Sequence, residues 1–450
     1  MRSTDARFGE TLAWRLLSRV RTASATPMPA NFIWMLVGHV IYSLCQWLML
    51  TVLAKMGSAD MVGNFSGGLA VTAPIIMLAN LQLRAVQSTD AQRTYAFGDY
   101  RALRLISTAI ALAAIAAVAF LNYGTQQAWI IVLVGLAKGA EALSDVHYGL
   151  FQQREQMRYI ALSLMIRGVL SVLVLAAGVA LTGQLLWGVA GMALVWLLVL
   201  LIFDVRNGIR LLKREGEAPS AAAQETRRTR RLLSLAKLAL PLGIVMMLIS
   251  LNSNIPRYFV ESSLGSSALG YYSALVYLQV AGNTVVLALG QSASPRLAMS
   301  FATGNRQKFL RVVLLMLASV LALSAGGLLI TLLWGRPILS LLYTPEYGAH
   351  ATVLSWVMAG AGVLYVESVL GYVVTAMREF KRQVLIHTCG VTALLVLSAV
   401  LIPRYGLVGA AQVVMGAAAV RVAIAAGVAV RGSRKRFAAA EAARDESSPY

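Results

Sequence analysis

Long apolar segments without charged residues dominate the chain. A membrane-spanning helix needs about 20 apolar residues, and a segment such as 31–54 is long enough for one such helix. The segments 105–137 and 168–203 are each long enough for two helices, and polar triplets containing glycine interrupt them at 122–124 and 182–184. The pattern predicts twelve membrane-spanning helices, near 31–54, 64–86, 103–122, 127–151, 159–181, 185–205, 234–259, 268–294, 309–333, 350–376, 384–402 and 406–430.

The composition supports a membrane protein and excludes an ordinary soluble enzyme. Hydrophobic residues make up 58% of the 450 residues and charged residues only 13%, whereas soluble proteins average about 25% charged residues. A soluble fold of this size could not bury so much apolar surface and keep a polar exterior. The predicted fold class is therefore an all-α polytopic membrane protein. Cys45 and Cys389 lie inside apolar segments, so no structural disulfide is expected.

The basic residues predict how the chain is oriented in the membrane. If the N-terminus is cytoplasmic, 32 of the 39 Lys and Arg residues lie on the cytoplasmic side, as the positive-inside rule requires. Both termini are then cytoplasmic. The net charge of +20 follows from this topology and does not indicate nucleic-acid binding. The remaining cations are Lys55, Arg257, Arg336 and Arg404 in outward loops, and Lys138, Arg167 and Arg421 within spans.

A basic polar segment at 207–233 divides the predicted spans into two sets of six. An even number of spans in each half gives both halves the same orientation, which is a parallel repeat. The predicted N-lobe is 31–206 and the C-lobe is 234–430. A basic cytoplasmic segment at 1–30 precedes them, and a disordered cytoplasmic tail at 431–450 follows.

Two smaller patterns refine this organisation. Similar glycine-bounded turns at 57–66 and 265–273 follow the first span of each half, which favours duplication, although glycine-rich turns resemble one another in any case. Residues 11–22 combine apolar and arginine side chains, which is typical of a basic helix lying on the inner leaflet. A solvated lead-in is the alternative for this segment.

Charged residues inside a span are costly and indicate a cavity, a coupling role or a structural ion pair. In the fourth span, Lys138, Glu141 and Asp145 share one helix face, within roughly 60° of each other, and Lys138 can pair with Glu141. His147 falls on the opposite side and is interpreted as a packing residue. Asp145 and Arg167 lie at similar depths below the cytoplasmic end, so they are expected to pair between helices.

The second half contains a similar pair and a helix-breaking residue. Glu367 and Arg421 also match in depth and are expected to pair. Pro256 removes a backbone hydrogen bond, so the seventh span is expected to kink or end there. Arg257 follows on the outward side, and a kink would turn it toward the space between the halves. The alternative for Arg257 is an interfacial anchor.

The sequence offers no signal of enzyme chemistry. The predicted outward loops are short, and the longest of them, 336–349, leaves no room for a catalytic domain. The chain has no glycine-rich phosphate loop that ends in Lys-Ser/Thr, and its four histidines lack metal-ligand spacing. We therefore expect no metal and no cofactor, and we expect the function to be movement of a molecule across the membrane.

Several short motifs occur in order along the chain. They include Leu81-Gln82-Leu83-Arg84, Asn254-Ile255-Pro256-Arg257-Tyr258, Ser294-Pro295-Arg296, Leu342-Tyr343-Thr344-Pro345-Glu346 and Thr375-Ala376-Met377-Arg378. Over about residues 31–425, their order and spacing resemble the bacterial oligosaccharide (polysaccharide) flippases, which share a superfamily with multidrug and toxin exporters and the lipid II flippase. The resemblance implies a V-shaped, MATE-like pair of six-helix lobes around a central cavity.

The resemblance also implies a substrate and partners. The substrate would be a polyprenyl-pyrophosphate-linked oligosaccharide, moved by alternating access from the cytoplasmic to the periplasmic leaflet of the bacterial inner membrane. Membrane lipids, a polysaccharide polymerase and chain-length proteins would be further partners. Because a pyrophosphate needs cationic ligands, and Arg is the best geometric match, the substrate-binding candidates are Arg84, Lys138, Arg257, Arg296 and Arg378. The candidates for coupling or buried ion pairs are Glu141, Asp145, Arg167, Glu367 and Arg421.

Alternatives remain open at this point. Arg84, Arg296 and Arg378 also lie where positive-inside topology alone requires a cation. A cation-coupled multidrug exporter of the same superfamily is a second candidate function. One branch of those exporters carries an acidic residue in its first span, where this chain has only His39 and Gln46 as notable polar residues. A membrane polysaccharide polymerase or ligase is the third, and the short outward loops argue against it.

Overall fold

The computed structural model describes residues 28–90, 94–214, 225–377 and 379–446, and these residues are almost entirely helical. Helices are favoured because lipid offers no hydrogen-bond partners to backbone N–H and C=O groups, whereas a helix pairs these groups with one another. A π-helical segment, Val199–Val205, joins the helices Leu185–Leu198 and Arg206–Arg214 into one rod. The helices are α1 (Met28–Met56), α2 (Ala59–Asn80), α3 (Leu83–Thr89), α4 (Phe97–Asn122), α5 (Thr125–Gln153), α6 (Met157–Thr182), α7 (Leu185–Leu198), α8 (Arg206–Arg214), α9 (Glu225–Leu264), α10 (Ser266–Ala302), α11 (Arg306–Leu342), α12 (Pro345–Gly348), α13 (Ala351–Ala376) and α14 (Phe380–Glu446).

Ten helices in the described residues are long and apolar enough to cross a membrane. The 29-residue helix α5 is as long as these, but its charged residues set it apart from them. Helix α14 kinks at Gly406, whose φ of 57° and ψ of −135° are accessible mainly to glycine. The molecule is therefore all-helical, with between ten and twelve membrane-crossing helices.

The helices pack as two halves that meet along α2. In the first half α1 lies along α6 and α4 along α5, and in the second half α11 and α14 both pack on α13. Helix α2 of the first half packs on α9 and α10 of the second. The tight turns after α1, α4, α6 and α9 lie at one end of the molecule, which we call the short-turn end. The opposite end carries most of the Lys and Arg residues that the structure describes, and we call it the basic end.

The two halves touch most closely at the short-turn end, where α2 crosses α10. A Cβ at Gly63 would overlap the carbonyl oxygen of Ser266, and a Cβ at Gly270 would overlap that of Ala59. Each helix therefore presents two small residues four positions apart, a spacing that lets membrane helices approach closely. The two similar turns in the sequence, 57–66 and 265–273, contribute these residues and meet at this crossing.

The second predicted span, 64–86, extends too far at its C-terminal end. The sequence predicts a helix through residue 86, but α2 ends at Asn80 because Leu81 and Gln82 both have a φ of 49°. Left-handed conformation costs a non-glycine residue about 1–2 kcal/mol, so packing must hold the break. Helix α3, which follows it, packs on α5, and Gln87 is buried against Gly149.

Helix α9 also differs from the prediction. Pro241 and Pro256 both lie inside it, and it runs without interruption to Leu264. Pro256 therefore does not end the seventh span. At its other end, α9 begins inside the predicted linker 207–233, and α8 extends into that segment from the opposite side.

The predicted disordered tail is helical as far as Glu446. Its packing gives the reason, since the buried ring of Phe437 lies 6.0 Å from that of Phe301 and 5.6 Å from that of Phe309, measured between ring centres. These two rings belong to the basic ends of α10 and α11, and Arg436 donates to the carbonyl oxygen of Ala302, 2.5 Å away. The predicted basic helix at 11–22 lies outside the described residues.

Candidate cavity between the two halves

A cavity of about 80 Å³ lies between the halves, toward the short-turn end. It is large enough to hold water molecules, and α1, α2, α9 and α10 enclose it. None of the residues that line it is acidic, so Arg257 supplies the only full charge on the wall. The lining residues are Gln46, Leu50, Phe65, Ser66, Leu69, Arg257, Ser273 and Tyr277.

Three polar groups on this wall are buried without a hydrogen-bond partner. Nη1 of Arg257 donates to Oδ1 of Asn254, 2.9 Å away, whereas its Nε has no partner. Nε2 of Gln46 and Oγ of Ser273 are also unpartnered. Buried polar groups in native proteins are nearly always satisfied. Three unpaired groups on one small wall, all able to donate, can bind oxygen acceptors of water or of a cargo molecule.

Helix α9 positions Arg257 by continuing past Pro256. Because proline has no N–H, the carbonyl group of Asn252 loses its helical donor, and Oδ1 of the same residue is buried without a partner. Arg257 faces the space between the halves, as its position after Pro256 predicts, but it does so from an unbroken helix.

Lys138 and Glu141 form an ion pair inside the first half, away from the cavity wall. Nζ of Lys138 lies 2.9 Å from Oε2 of Glu141. The hydroxyl group of Tyr42, on α1, donates to Oε1 of the same carboxylate at 2.8 Å. Nζ of Lys138 also lies 5.0 Å from the centre of the Trp196 ring, within the range of a cation–π contact. Lys138 thus ties α5 to α7 rather than pointing into the cavity.

The predicted pairing of Asp145 with Arg167 is wrong. Asp145 instead accepts from two other arginines, Arg84 at 3.4 Å and Arg104 at 3.2 Å. The break after α2 brings Arg84 to this carboxylate. Arg104 is completely buried and also donates to Asn80 at 2.5 Å. Arg104 is one of the 32 cations on the predicted cytoplasmic side, so the sequence does not distinguish it from the others.

Arg167 pairs with Asp204, which sequence reasoning also missed. Their side chains are 3.4 Å apart and both completely buried, and Arg167 donates to Ser144 at 2.6 Å as well. Asp204 lies in the π-helical segment, whose wider turns change the direction of side chains relative to an α-helix. Nε and Nη1 of Arg167 and Oδ1 of Asp204 remain unpartnered. A signal existed in the sequence, since Arg167 needs a partner and Asp204 is the one acidic residue between 156 and 214.

The ion pair predicted between Glu367 and Arg421 is present in the second half. Nε and Nη2 of Arg421 donate to the two carboxylate oxygens at 2.7 and 2.8 Å, a two-pronged arrangement. Gly390 on α14 makes room for it, because a Cβ there would overlap the arginine side chain. Glu367 and Arg421 therefore join α13 to the last stretch of α14.

The other candidates lie away from the cavity or cannot be placed. Arg296 is exposed toward the basic end of α10, and Arg378 lies outside the described residues. His147 is buried, with Nδ1 3.0 Å from the carbonyl oxygen of Leu143, which fits the packing role that the sequence analysis gives it. Within the part of the chain that the structure describes, no cluster of three or more His, Cys, Asp or Glu residues could hold a metal ion.

Comparison with known proteins identifies relatives along most of the chain. A family model described as "Polysaccharide biosynthesis protein" matches residues 29–301. The capsular polysaccharide biosynthesis protein CapF of Staphylococcus aureus is 26% identical over 386 residues, which cover 85% of this chain and 94% of CapF.

Solved structures show the same fold at low sequence identity. An inward-facing multidrug resistance MATE family transporter of the MOP superfamily matches with a TM-score of 0.68 and 12% identity, covering 90% of this chain and 99% of that one. The lipid II flippase MurJ, in an inward closed conformation, matches with a TM-score of 0.65 and 11% identity, covering 91% and 90%. The chain is a multi-pass membrane protein with a transporter fold, and it is not an enzyme.

Proposed function

The chain belongs to the polysaccharide biosynthesis protein family, and from that premise we propose that it moves a lipid-linked oligosaccharide across the membrane. The cargo is a polyprenyl-pyrophosphate-linked unit that passes from the cytoplasmic to the periplasmic leaflet for assembly into a cell-surface polysaccharide. The similarity to CapF, along nearly the whole length of both chains, supports a role in polysaccharide production. The likeness to MurJ supports the fold that such a step needs.

The proposal includes a topology of twelve spans in two parallel lobes of six. Helix α5 and the two arms of α14 on either side of Gly406 raise the ten apolar helices to twelve. The basic end is cytoplasmic, because the positive-inside rule holds for 32 of the 39 cations in this orientation. The short-turn end then faces the periplasm of a bacterial inner membrane, and both termini lie inside.

The described conformation represents the state closed toward the periplasm. The two halves are in contact at the short-turn end through the crossing of α2 and α10. Nε1 of Trp47 also donates to the hydroxyl group of Tyr343 across the halves, at 3.1 Å. Among solved structures, an inward-facing MATE transporter and an inward closed MurJ match with TM-scores of 0.68 and 0.65, whereas an outward-facing MATE transporter matches with 0.58. In alternating access, these contacts must break to release cargo on the outer side.

The observation that carries the proposal is the chemistry of the cavity wall. It combines the guanidinium of Arg257 with unpaired polar groups of Gln46 and Ser273, and it has no acidic residue. A pyrophosphate and the hydroxyl groups of a sugar offer the oxygen acceptors that these groups lack. The cavity in this closed state is too small for a whole oligosaccharide, so the cargo enters as the halves move.

The same wall argues against export of cationic drugs. A cationic drug needs a negative or neutral aromatic site, and the fixed charge here is positive. The likeness to a multidrug transporter at 12% identity is one of fold and carries no information about cargo.

Depletion of the protein in its own host tests the proposal. The labelled lipid-linked oligosaccharide should accumulate, and in spheroplasts it should resist a membrane-impermeant oxidant of sugars. Restoring the protein should make the same lipid oxidisable. An accumulated lipid that is fully accessible from outside would place the block after translocation and contradict the proposal. Unchanged sensitivity to cationic dyes is the expected control.

A further inference from the structure

A second, wider cavity opens between the halves at the short-turn end, and we call it the outer cleft. It has a volume of about 400 Å³, within the range of about 300–1,000 Å³ that is usual for small-molecule sites. The turn between α4 and α5 and the last turns of α9 form its walls. The lining residues are Asn122, Tyr123, Tyr258, Phe259, Glu261 and Ser262.

The outer cleft combines aromatic faces with a carboxylate and an amide. The rings of Tyr123, Tyr258 and Phe259 are each partly exposed, so their faces are available to a ligand. Glu261 is also partly exposed, and Asn122 stands at the rim. This mixture differs from the wall of the inner cavity, where a cation and neutral polar groups face one another.

We propose that the outer cleft is a carbohydrate-binding subsite that receives sugar rings of the cargo on the periplasmic side. The C–H groups on one face of a pyranose ring are weakly positive and complement the negative face of an aromatic ring. Its hydroxyl groups donate to carboxylate oxygens, and such charge-assisted hydrogen bonds are the stronger kind. The identity of the cargo rests on the proposed function, whereas the recognition of sugar rests on the cleft itself.

The surroundings of the cleft favour a sugar over a lipid chain. Tyrosines at a membrane interface usually direct their hydroxyl groups to water or lipid headgroups. The hydroxyl group of Tyr258 instead donates to the carbonyl oxygen of Ala70 on α2, 2.5 Å away. An acyl chain in the cleft would also lie against the carboxylate of Glu261, and a charge in contact with hydrocarbon is unfavourable.

The position of the cleft links sugar binding to opening of the molecule. Tyr258 follows Arg257 directly, so the cleft and the inner cavity lie on adjacent faces of α9. Nε2 of Gln127 donates to Oε1 of Glu261 at 2.6 Å, and this contact joins the two halves. A sugar hydroxyl bound to Glu261 competes with Gln127 and weakens that contact. Sugar binding therefore replaces a direct contact between the halves by one that runs through the ligand, and separation of the halves at this end takes Tyr123 away from Glu261 and releases the sugar.

Binding of a free sugar tests the inference. The probe is the water-soluble repeat-unit oligosaccharide of the host polymer, cleaved from its lipid and pyrophosphate. Its affinity for the full chain in nanodiscs is measured by saturation-transfer NMR. We expect Glu261→Gln and Tyr123→Ala to weaken binding about tenfold each, as expected for loss of one charge-assisted or aromatic contact. Ser262→Trp, which fills the cleft from an exposed position and removes no contact between helices, should abolish binding without loss of folding.

Two control variants separate the cleft from other sites. Tyr405 is 58% exposed near the kink of α14, away from the cleft, so Tyr405→Ala should leave the affinity unchanged. Arg404→Ala, an exposed arginine at the same end that lines neither cavity, should also leave it unchanged. Binding that survives Ser262→Trp would overturn the inference, as would binding that is lost in either control variant. A wild-type chain that translocates the lipid-linked form but binds no free sugar would refute the cleft alone. A chain that binds sugar in the cleft but does not translocate would refute the proposed function alone.

Discussion

Arg257 is the single charged residue on the wall of the inner cavity, and its guanidinium is only partly hydrogen-bonded. A buried guanidinium with an unpaired Nε is costly unless a ligand or water completes its bonding. The cost is reduced when an anion enters, so the arrangement stabilises the loaded cavity more than the empty one. Arg421 differs in that a carboxylate holds it through Nε and Nη2, although its Nη1 also lacks a partner.

Substitution at Arg257 should therefore affect export through hydrogen bonding as well as charge. We expect Arg257→Ala to lower polymer export at least tenfold, since a charge-assisted hydrogen bond contributes about 1.5–3 kcal/mol. Arg257→Lys keeps the charge but loses the planar set of donors, so it should retain partial export. Export is measured in cells lacking the native protein and normalised to the amount in the membrane. Arg404→Ala, an exposed arginine at the same end, is the matched control, and wild-type export from Arg257→Ala would exclude a substrate role.

The ion pair between Glu367 and Arg421 should act on stability. Removing one partner of a buried pair leaves an uncompensated charge and costs about 3–5 kcal/mol, so Glu367→Gln should clearly lower the thermal unfolding midpoint in detergent. Glu379 pairs with Arg382 in an exposed position, where such pairs contribute about 0–1 kcal/mol. Glu379→Gln should therefore have almost no effect. Equal shifts of the unfolding midpoint from the two substitutions would show that the pair between Glu367 and Arg421 stabilises the protein no more than an exposed pair does.

At this scale the sequence predicts only part of the buried charge, since it identifies Arg167 and Arg421 but not Arg104 or Asp204. Depth along a helix could pair Glu367 with Arg421, because both lie far from other charges. It failed for Asp145 and Arg167, since two local departures from a straight α-helix moved the partners. The left-handed residues after α2 carry Arg84 to Asp145, and the π-helical segment carries Asp204 to Arg167.

Among the helices, the crossing of α2 and α10 is the contact that must break for alternating access. Its small residues allow the backbones to touch, so the closed state depends on the absence of side chains there. The helices themselves were predictable from apolar length. Their crossing was not, because glycine-rich turns are common and their pairing across 200 residues leaves no periodic signal.

A side chain at this crossing should force the short-turn end apart. Overpacking costs about 1–3 kcal/mol in the closed state, so Gly63→Val should shift the equilibrium about tenfold toward the outward-open state. The readout is labelling of Ser273→Cys, on the cavity wall, by an impermeant maleimide added outside to a variant that lacks Cys45 and Cys389. Gly371→Val is the control, because a Cβ at that position meets nothing within 4 Å. Labelling rates that Gly63→Val does not change would contradict the role of the crossing.

For the whole molecule, the all-helical membrane fold could be predicted from apolar length, whereas the orientation stays a prediction from charge. The inner cavity and the outer cleft could not be predicted, because each draws residues from both halves. Cysteine labelling tests the orientation directly in the same cysteine-free background. Gln184→Cys, in the turn after α6, should react in intact cells, whereas Lys213→Cys, at the end of α8, should react only after permeabilisation. The reverse pattern would invert the topology and the direction of transport.

Translocation by the purified protein is the most direct test of the central claim. Proteoliposomes would contain a polyprenyl-pyrophosphate-linked oligosaccharide with a fluorescent label on its sugar, and an impermeant quencher would be added outside. We predict that the wild-type chain and Arg404→Ala expose the label of the inner leaflet to the quencher, whereas Arg257→Ala leaves it protected as in protein-free vesicles. An inner-leaflet label that stays protected with the folded wild-type chain would contradict the account.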